Sequence, residues 1–141
     1  MKSSKVLIIY TGGTIGMKKT EKGYAPVPGF LGEAISALAD MKSSSAPDWD
    51  LHEMSPLLDS SDITVEEWNK IASVICDNYA KYDGFVVLHG TDTMAYTASA
   101  LSFILDGLDK PVVLTGSQIP LCQLRSDGRD NLITSMLIAG E

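Results

Sequence analysis

Nothing in this sequence approaches the ~20 consecutive apolar residues of a membrane-spanning helix. The apolar run Val6–Tyr10 is cut short by Thr11-Gly12-Gly13. It is also too short for the apolar region of a signal peptide, although basic residues within Met1–Lys5 precede it. A cytoplasmic protein is therefore expected. Cysteine is scarce. Cys76 falls in an apolar helical pattern and Cys122 in a polar loop, and two reduced structural thiols are expected rather than a disulfide. Positive charge is in deficit, with 11 Lys and Arg against 18 Asp and Glu and a net charge of −7. That balance disfavours nucleic acid and anionic membranes as partners but admits a small zwitterionic ligand. His52 and His89 are far apart and lack ligand-spaced partners, so no metal site is expected, and no cofactor is implied. The G-x-G-x-x-G fingerprint and a phosphate-binding lysine motif are both missing, which disfavours a nucleotide site.

What is present is a regular alternation of elements. Val6–Tyr10 and Phe85–Leu88 are continuous apolar runs, as in strands buried on both faces. Trp49–Met54 reads as a weaker strand and Val112–Leu114 as a fourth. Helical spacing marks Leu31–Met41, Met94–Leu105 and Asn131–Ala139. It is clearest after Thr64, where Thr64 and Glu67 form a capping box ahead of the stripe Val65, Trp68, Ile71, Ala72, Ile75 and Tyr79. Lys18–Pro28, with Gly23, Pro26 and Pro28, reads as a flap, and Arg125–Asp130 as a polar loop. The repetition predicts an α/β fold in three layers, a mostly parallel sheet with flanking helices. The 141 residues fit one domain. The helical pattern still running at Glu141 is read as the mark of a chain that is part of a longer protein.

Every predicted strand ends in a small polar cluster: 11–14, 59–62, 90–93 and 115–118. Ligands of open α/β sheets bind outside the carboxyl ends of the strands, so the four clusters should meet in one polar pocket. On its own, Thr11-Gly12-Gly13-Thr14-Ile15-Gly16 allows a tight turn or a ligand cradle equally well.

Taken together with His89-Gly90-Thr91-Asp92-Thr93, that cluster resembles the paired signature motifs of the bacterial-type L-asparaginase family. Further matches run in order along the chain: Tyr24, Asp59-Ser60-Ser61-Asp62, Lys110-Pro111, Thr115-Gly116-Ser117-Gln118-Ile119-Pro120, Arg125-Ser126-Asp127-Gly128 and Asn131. Ser60-Ser61 and Gln118-Ile119-Pro120 are closer to the cytoplasmic type I branch. The resemblance implies the N-terminal catalytic domain over 1–141, a flavodoxin-like arrangement, and hydrolysis of L-asparagine to aspartate and ammonia. It also implies that the C-terminal domain lies outside this chain, and that the full-length protein is a homodimer or homotetramer.

Residue roles follow from the same resemblance. Thr14 is the nucleophile that forms an acyl-enzyme, and Tyr24 brings a phenolic oxygen from the flap. Thr91 is the second essential threonine, working with a lysine that lies beyond Glu141. Asp92 pairs with the substrate α-ammonium, with a helix N-cap as its plain structural alternative. Ser60 binds the α-carboxylate and Ser61 neighbours it, with loop capping around Asp62 as the alternative for Ser61. Ser117 and Gln118 line the pocket edge. Arg125, Asp127 and Asn131 brace the structure. Two other functions remain open: a glutaminase-asparaginase or related amidohydrolase, and a non-catalytic module that binds an amino acid.

Overall fold

The computed structural model describes residues 4–141. Of the basic residues within Met1–Lys5, Lys2 lies outside the described part, so the reading of the N-terminus rests in part on sequence alone. Four strands form one parallel sheet: β1 (Lys5–Gly12), β4 (Asp48–Leu58), β5 (Gly84–Leu88) and β6 (Val112–Thr115), in the order β4-β1-β5-β6. Two further strands, β2 (Met17–Thr20) and β3 (Gly23–Pro26), make a separate antiparallel hairpin. The helices are α1 (Phe30–Ala37), α2 (Val65–Asn78), α3 (Met94–Ile104) and α4 (Gly128–Ala139).

Alternation along β1 assigns the helices to the two faces. Val6, Ile8 and Tyr10 join Val86 and Leu88 on one face, covered by Leu31 and Ile35 of α1 and Leu132 and Met136 of α4. Leu7 and Ile9 join Phe85 and Val87 on the other, covered by Ile71 and Ile75 of α2 and Leu101 of α3. The result is the expected three-layer α/β sandwich, with β1 and β5 inaccessible on both faces. Each aliphatic side chain so buried contributes about 1.5–3 kcal/mol relative to exposure. The chain runs from β1 outward to β4, and from β5 outward to β6. The order therefore reverses between β1 and β5, which is where open α/β sheets hold ligands.

Several boundaries differ from the sequence reading. The flap is a hairpin that turns at Glu21 and Lys22 and enters β3 at Gly23, where φ is 106°. Helix α1 stops at Ala37, where Leu38 takes an extended conformation, and a separate short turn over Asp40–Lys42 buries Met41. Strand β4 continues to Leu58, with its register against β1 shifting between Glu53 and Leu58. Helix α4 begins at Gly128, inside the segment read as a loop. Val65 is 57% exposed, so the apolar stripe of α2 starts one turn later than its spacing suggested. Both cysteines are free and exposed rather than structural, since α2 turns Ile75 inward and its neighbour Cys76 outward.

The capping of α2 is as expected. The Glu67 carboxylate accepts from the Thr64 backbone N–H at 3.0 Å and from its hydroxyl at 2.6 Å. Thr64→Ala should destabilise the protein by about 1 kcal/mol, read from the urea midpoint. Those Thr64 hydrogen bonds, with help from Lys70, hold Glu67 down at about 2 against 4.5 for the free group. A depressed carboxylate stabilises the fold above its unfolded value and loses that contribution as pH falls. Glu67→Gln should therefore abolish part of the stability loss between pH 4.5 and about 2.

Candidate active site

Four loops leave the carboxyl ends of the four strands side by side, and glycines let them touch. Gly13, after β1, has φ 88°, and a Cβ there would stand 2.6 Å from the Cα of Gly90 after β5. A Cβ on Gly90 would stand 2.7 Å from Cβ and Oγ of Ser60 after β4. Backbone-to-backbone approach of this kind is open only to glycine.

Hydrogen bonds tie the same loops together. The Thr11 hydroxyl donates to the Leu88 carbonyl at 2.9 Å, joining the ends of β1 and β5. The Thr93 hydroxyl donates to the Ser60 carbonyl at 2.7 Å. Gln118 donates from Nε2 to the Thr91 hydroxyl at 3.2 Å, linking the loop after β6 to the loop after β5. That Gln118 loop is itself fixed by Asp127, whose carboxylate accepts the N–H groups of Gln118 and Ile119 at 2.9 and 3.0 Å. These bonds, the Gln118 one foremost, hold Asp127 below the ordinary carboxylate range. Asn131 donates to the Gly116 carbonyl at 2.9 Å. Asp127 and Asn131 are thus braces, as the sequence suggested.

The cleft at this junction is lined by Gly13, Thr14, Met17, Asp59, Ser60, Gly90, Thr91 and Asp92. It brings together Thr14, Ser60, Thr91 and Asp92 from three separate strand ends. Tyr24 is not in that lining. It stands on β3 opposite Lys19, 47% exposed, on the hairpin that follows the Thr14–Gly16 turn. Ser60 is buried at the cleft floor. The Ser61 hydroxyl and N–H both donate to Asp59 Oδ1, at 2.8 and 2.9 Å. Ser61 therefore closes a loop cap, but on Asp59 rather than around Asp62. The same two bonds, the backbone one first, lower the Asp59 pKa.

Asp92 is exposed, and it does not take its plain structural alternative: the residue at the N-cap of α3 is Thr93, with Asp92 making no capping bond. Its carboxylate is thus uncommitted within the described residues and available to a ligand. Two carboxylates and no lysine or arginine line the cleft, which suits a cationic group.

Two contributors were not evident from sequence. Tyr10 ends an otherwise aliphatic run, and its buried hydroxyl donates to the Gly13 carbonyl at 3.2 Å. Burial first, and the Glu53 charge second, push its pKa far above the ordinary value, so it stays a donor at working pH. Glu53 in turn accepts the Gly29 N–H at 2.9 Å, beyond the far end of the hairpin. An aromatic hydroxyl two residues before paired glycines is the only sequence signal for the first, and none marks the second.

The arrangement is that of an α/β domain with hydroxyls and carboxylates converging at the reversal point of a parallel sheet. The family model for the asparaginase N-terminal domain matches residues 5–141, and the chain belongs to the asparaginase family. It is 53% identical over 139 residues to L-asparaginase 1 of Escherichia coli, covering 99% of this chain and 41% of that protein. Its structure is similar to that of L-asparaginase I from Vibrio cholerae, with TM-score 0.90, 52% identity, and coverage of 98% of this chain and 41% of the other. A 60 kDa lysophospholipase of Mus musculus is 45% identical over 159 residues, covering 97% of this chain and 28% of that protein. The chain thus spans well under half the length of these relatives.

Proposed function

We propose that the full-length protein carrying this domain is an L-asparaginase, hydrolysing L-asparagine to L-aspartate and ammonia without a cofactor. The observation that carries this reading is the convergence of Thr14, Ser60, Thr91 and Asp92 on one small polar cleft. Its size and polarity suit an amino acid. They do not suit the acyl chain of a lysophospholipid, which needs an apolar channel.

Thr14 is the nucleophile in this account. Its Oγ1 bonds to the side-chain amide carbon, the C–N bond breaks, and ammonia leaves with the proton it has gained. Water then attacks the resulting ester, releasing aspartate and restoring the threonine hydroxyl. Tyr24 reaches the site when the β2–β3 hairpin folds over the bound substrate, excluding water and supplying a phenolic oxygen to the proton transfer. Asp92 holds the α-ammonium and Ser60 the α-carboxylate, with Ser61 shaping the loop between them. The Thr91 hydroxyl accepts from Gln118, which leaves its own proton to donate. A lysine from the part of the protein that follows this domain completes the Thr91 pair, and the protein works in the cytoplasm as a homodimer or homotetramer. Neither nucleic acid nor membrane is a partner.

The test is ammonia release by the full-length natural protein, with asparagine, glutamine and a lysophospholipid as separate substrates. Turnover of asparagine, with kcat/KM above that for glutamine, is expected. Fatty-acid release from the lysophospholipid, or no ammonia from asparagine, would overturn the reading.

A further inference from the structure

Behind the Thr91 loop lies a chain of hydrogen bonds that joins α2, α3 and the end of β5. Trp68 donates from Nε1 to the Thr97 hydroxyl at 2.9 Å. Thr97 Oγ1 lies 2.8 Å from His89 Nε2, and His89 Nδ1 lies 2.7 Å from the Gly90 carbonyl. His89 and Thr97 are both inaccessible, at 1% and 0% exposure.

The two ends of the chain fix its direction. An indole N–H can only donate and a carbonyl can only accept. Nδ1 therefore carries the imidazole proton and gives it to Gly90, while bare Nε2 accepts the Thr97 hydroxyl. With the ring neutral every member of the chain is satisfied. Burial acts in the same sense, lowering the His89 pKa against the smaller raising effect of the Gly90 bond.

The consequence reaches the cleft through one peptide bond. In a trans peptide the C=O and the following N–H point in opposite directions. With the Gly90 carbonyl held toward the buried ring, the Thr91 N–H is turned to the other side of the loop. That side is the cleft, which Gly90 and Thr91 line and which His89 and Thr97 do not. Among the described residues the Thr91 N–H has no hydrogen-bond acceptor. It is a free donor beside Thr14, in the place where an oxyanion forms when a hydroxyl adds to an amide.

We infer that His89 is a positioning residue: through the Trp68–Thr97–His89 chain it locks the Gly90–Thr91 peptide so that the Thr91 N–H faces the reacting carbonyl. The inference rests on the asparaginase reading for its chemistry, but the locking itself is a property of the fold. Because the donor engages charge that exists only in the transition state, its loss falls on kcat and leaves KM nearly unchanged.

The experiment uses the full-length protein, with two readouts. In the first, Thr97→Val removes the hydroxyl while keeping the side-chain shape. It should lower kcat for asparagine about 10²-fold, on the order of losing one oxyanion donor. KM should stay near its original value, and Thr97→Ser should restore most of the rate. A proportional loss in folded protein with kcat per folded molecule intact, or a failure of Thr97→Ser to rescue, would overturn the proposal. The second readout needs neither turnover nor a folded variant. Nitrogen-15 NMR of the unsubstituted protein should show His89 protonated at Nδ1 and bare at Nε2 near neutral pH. The opposite tautomer would overturn the proposal even if the enzyme is active. An absence of asparagine turnover with the expected tautomer would sink the asparaginase reading instead and leave the locked peptide standing.

Discussion

Thr14→Ala is expected to lower kcat for asparagine about 10⁴–10⁶-fold, the scale on which loss of a covalent nucleophile is felt. Calorimetric binding of asparagine should change little. Thr14 contributes one small hydroxyl at the edge of the cleft, and the charged ends of the substrate are assigned to Asp92 and Ser60. Asp92→Ala should behave differently, raising the dissociation constant and lowering kcat together, because an ammonium misplaced at one end moves the amide at the other. If Thr14→Ala kept near-normal turnover, another group would be the nucleophile. The exposed Thr91 hydroxyl, already accepting from Gln118, would then be the first to examine.

Gly13→Ala is expected to lower kcat/KM about 10²-fold or more without touching any group that meets substrate. The added methyl would stand 2.6 Å from both Cα and N of Gly90, and φ at Gly13 is 88°. Both obstacles are backbone, so neither can swing aside. The β1 loop must withdraw from the β5 loop, carrying Thr14 away from Thr91. A displacement on the order of 1 Å at a reacting atom is enough for a loss of that size. Steady-state kinetics would show the drop, and an asparagine-bound crystal structure of the variant would show the loops apart. Unchanged kcat/KM would mean that the contact of these two loops does not set the reacting distance.

The central elements were legible because their signals are redundant. Val6–Tyr10 and Phe85–Leu88 are apolar at every position, which only a strand covered on both faces requires, and both are buried on both faces. Of the four polar clusters expected to meet in one pocket, three do, whereas Thr115–Gln118 lines a neighbouring cleft that shares Thr91. Less was readable where tertiary contacts decide. No local pattern distinguishes Val65, at the exposed start of α2, from Ile71 at its buried centre. Asp127 looked like loop chemistry, yet its carboxylate organises Gln118 and Ile119 while α4 starts beside it. Asp92 had a helix N-cap as its plain alternative, a position that Thr93 takes instead. Its exposure follows from Thr93 taking the cap position and giving its hydroxyl to Ser60, a contact across 33 residues. The buried His89 chain was invisible because its three members come from three elements, each ordinary by itself. Tyr24 keeps its assigned role only if the hairpin moves, and a sequence carries no information about which position a hinge adopts without ligand.

The distance from Thr14 to the bound substrate carbon decides most directly whether Thr14 is the nucleophile. A crystal structure of the full-length protein with L-aspartate would measure it. The predicted result places the side-chain carboxylate carbon about 3–3.5 Å from Thr14 Oγ1, in near-attack geometry, with the α-ammonium on Asp92 and the α-carboxylate on Ser60. Aspartate bound with that carbon turned to a different hydroxyl, or seated away from the junction of β1 and β5, would contradict it.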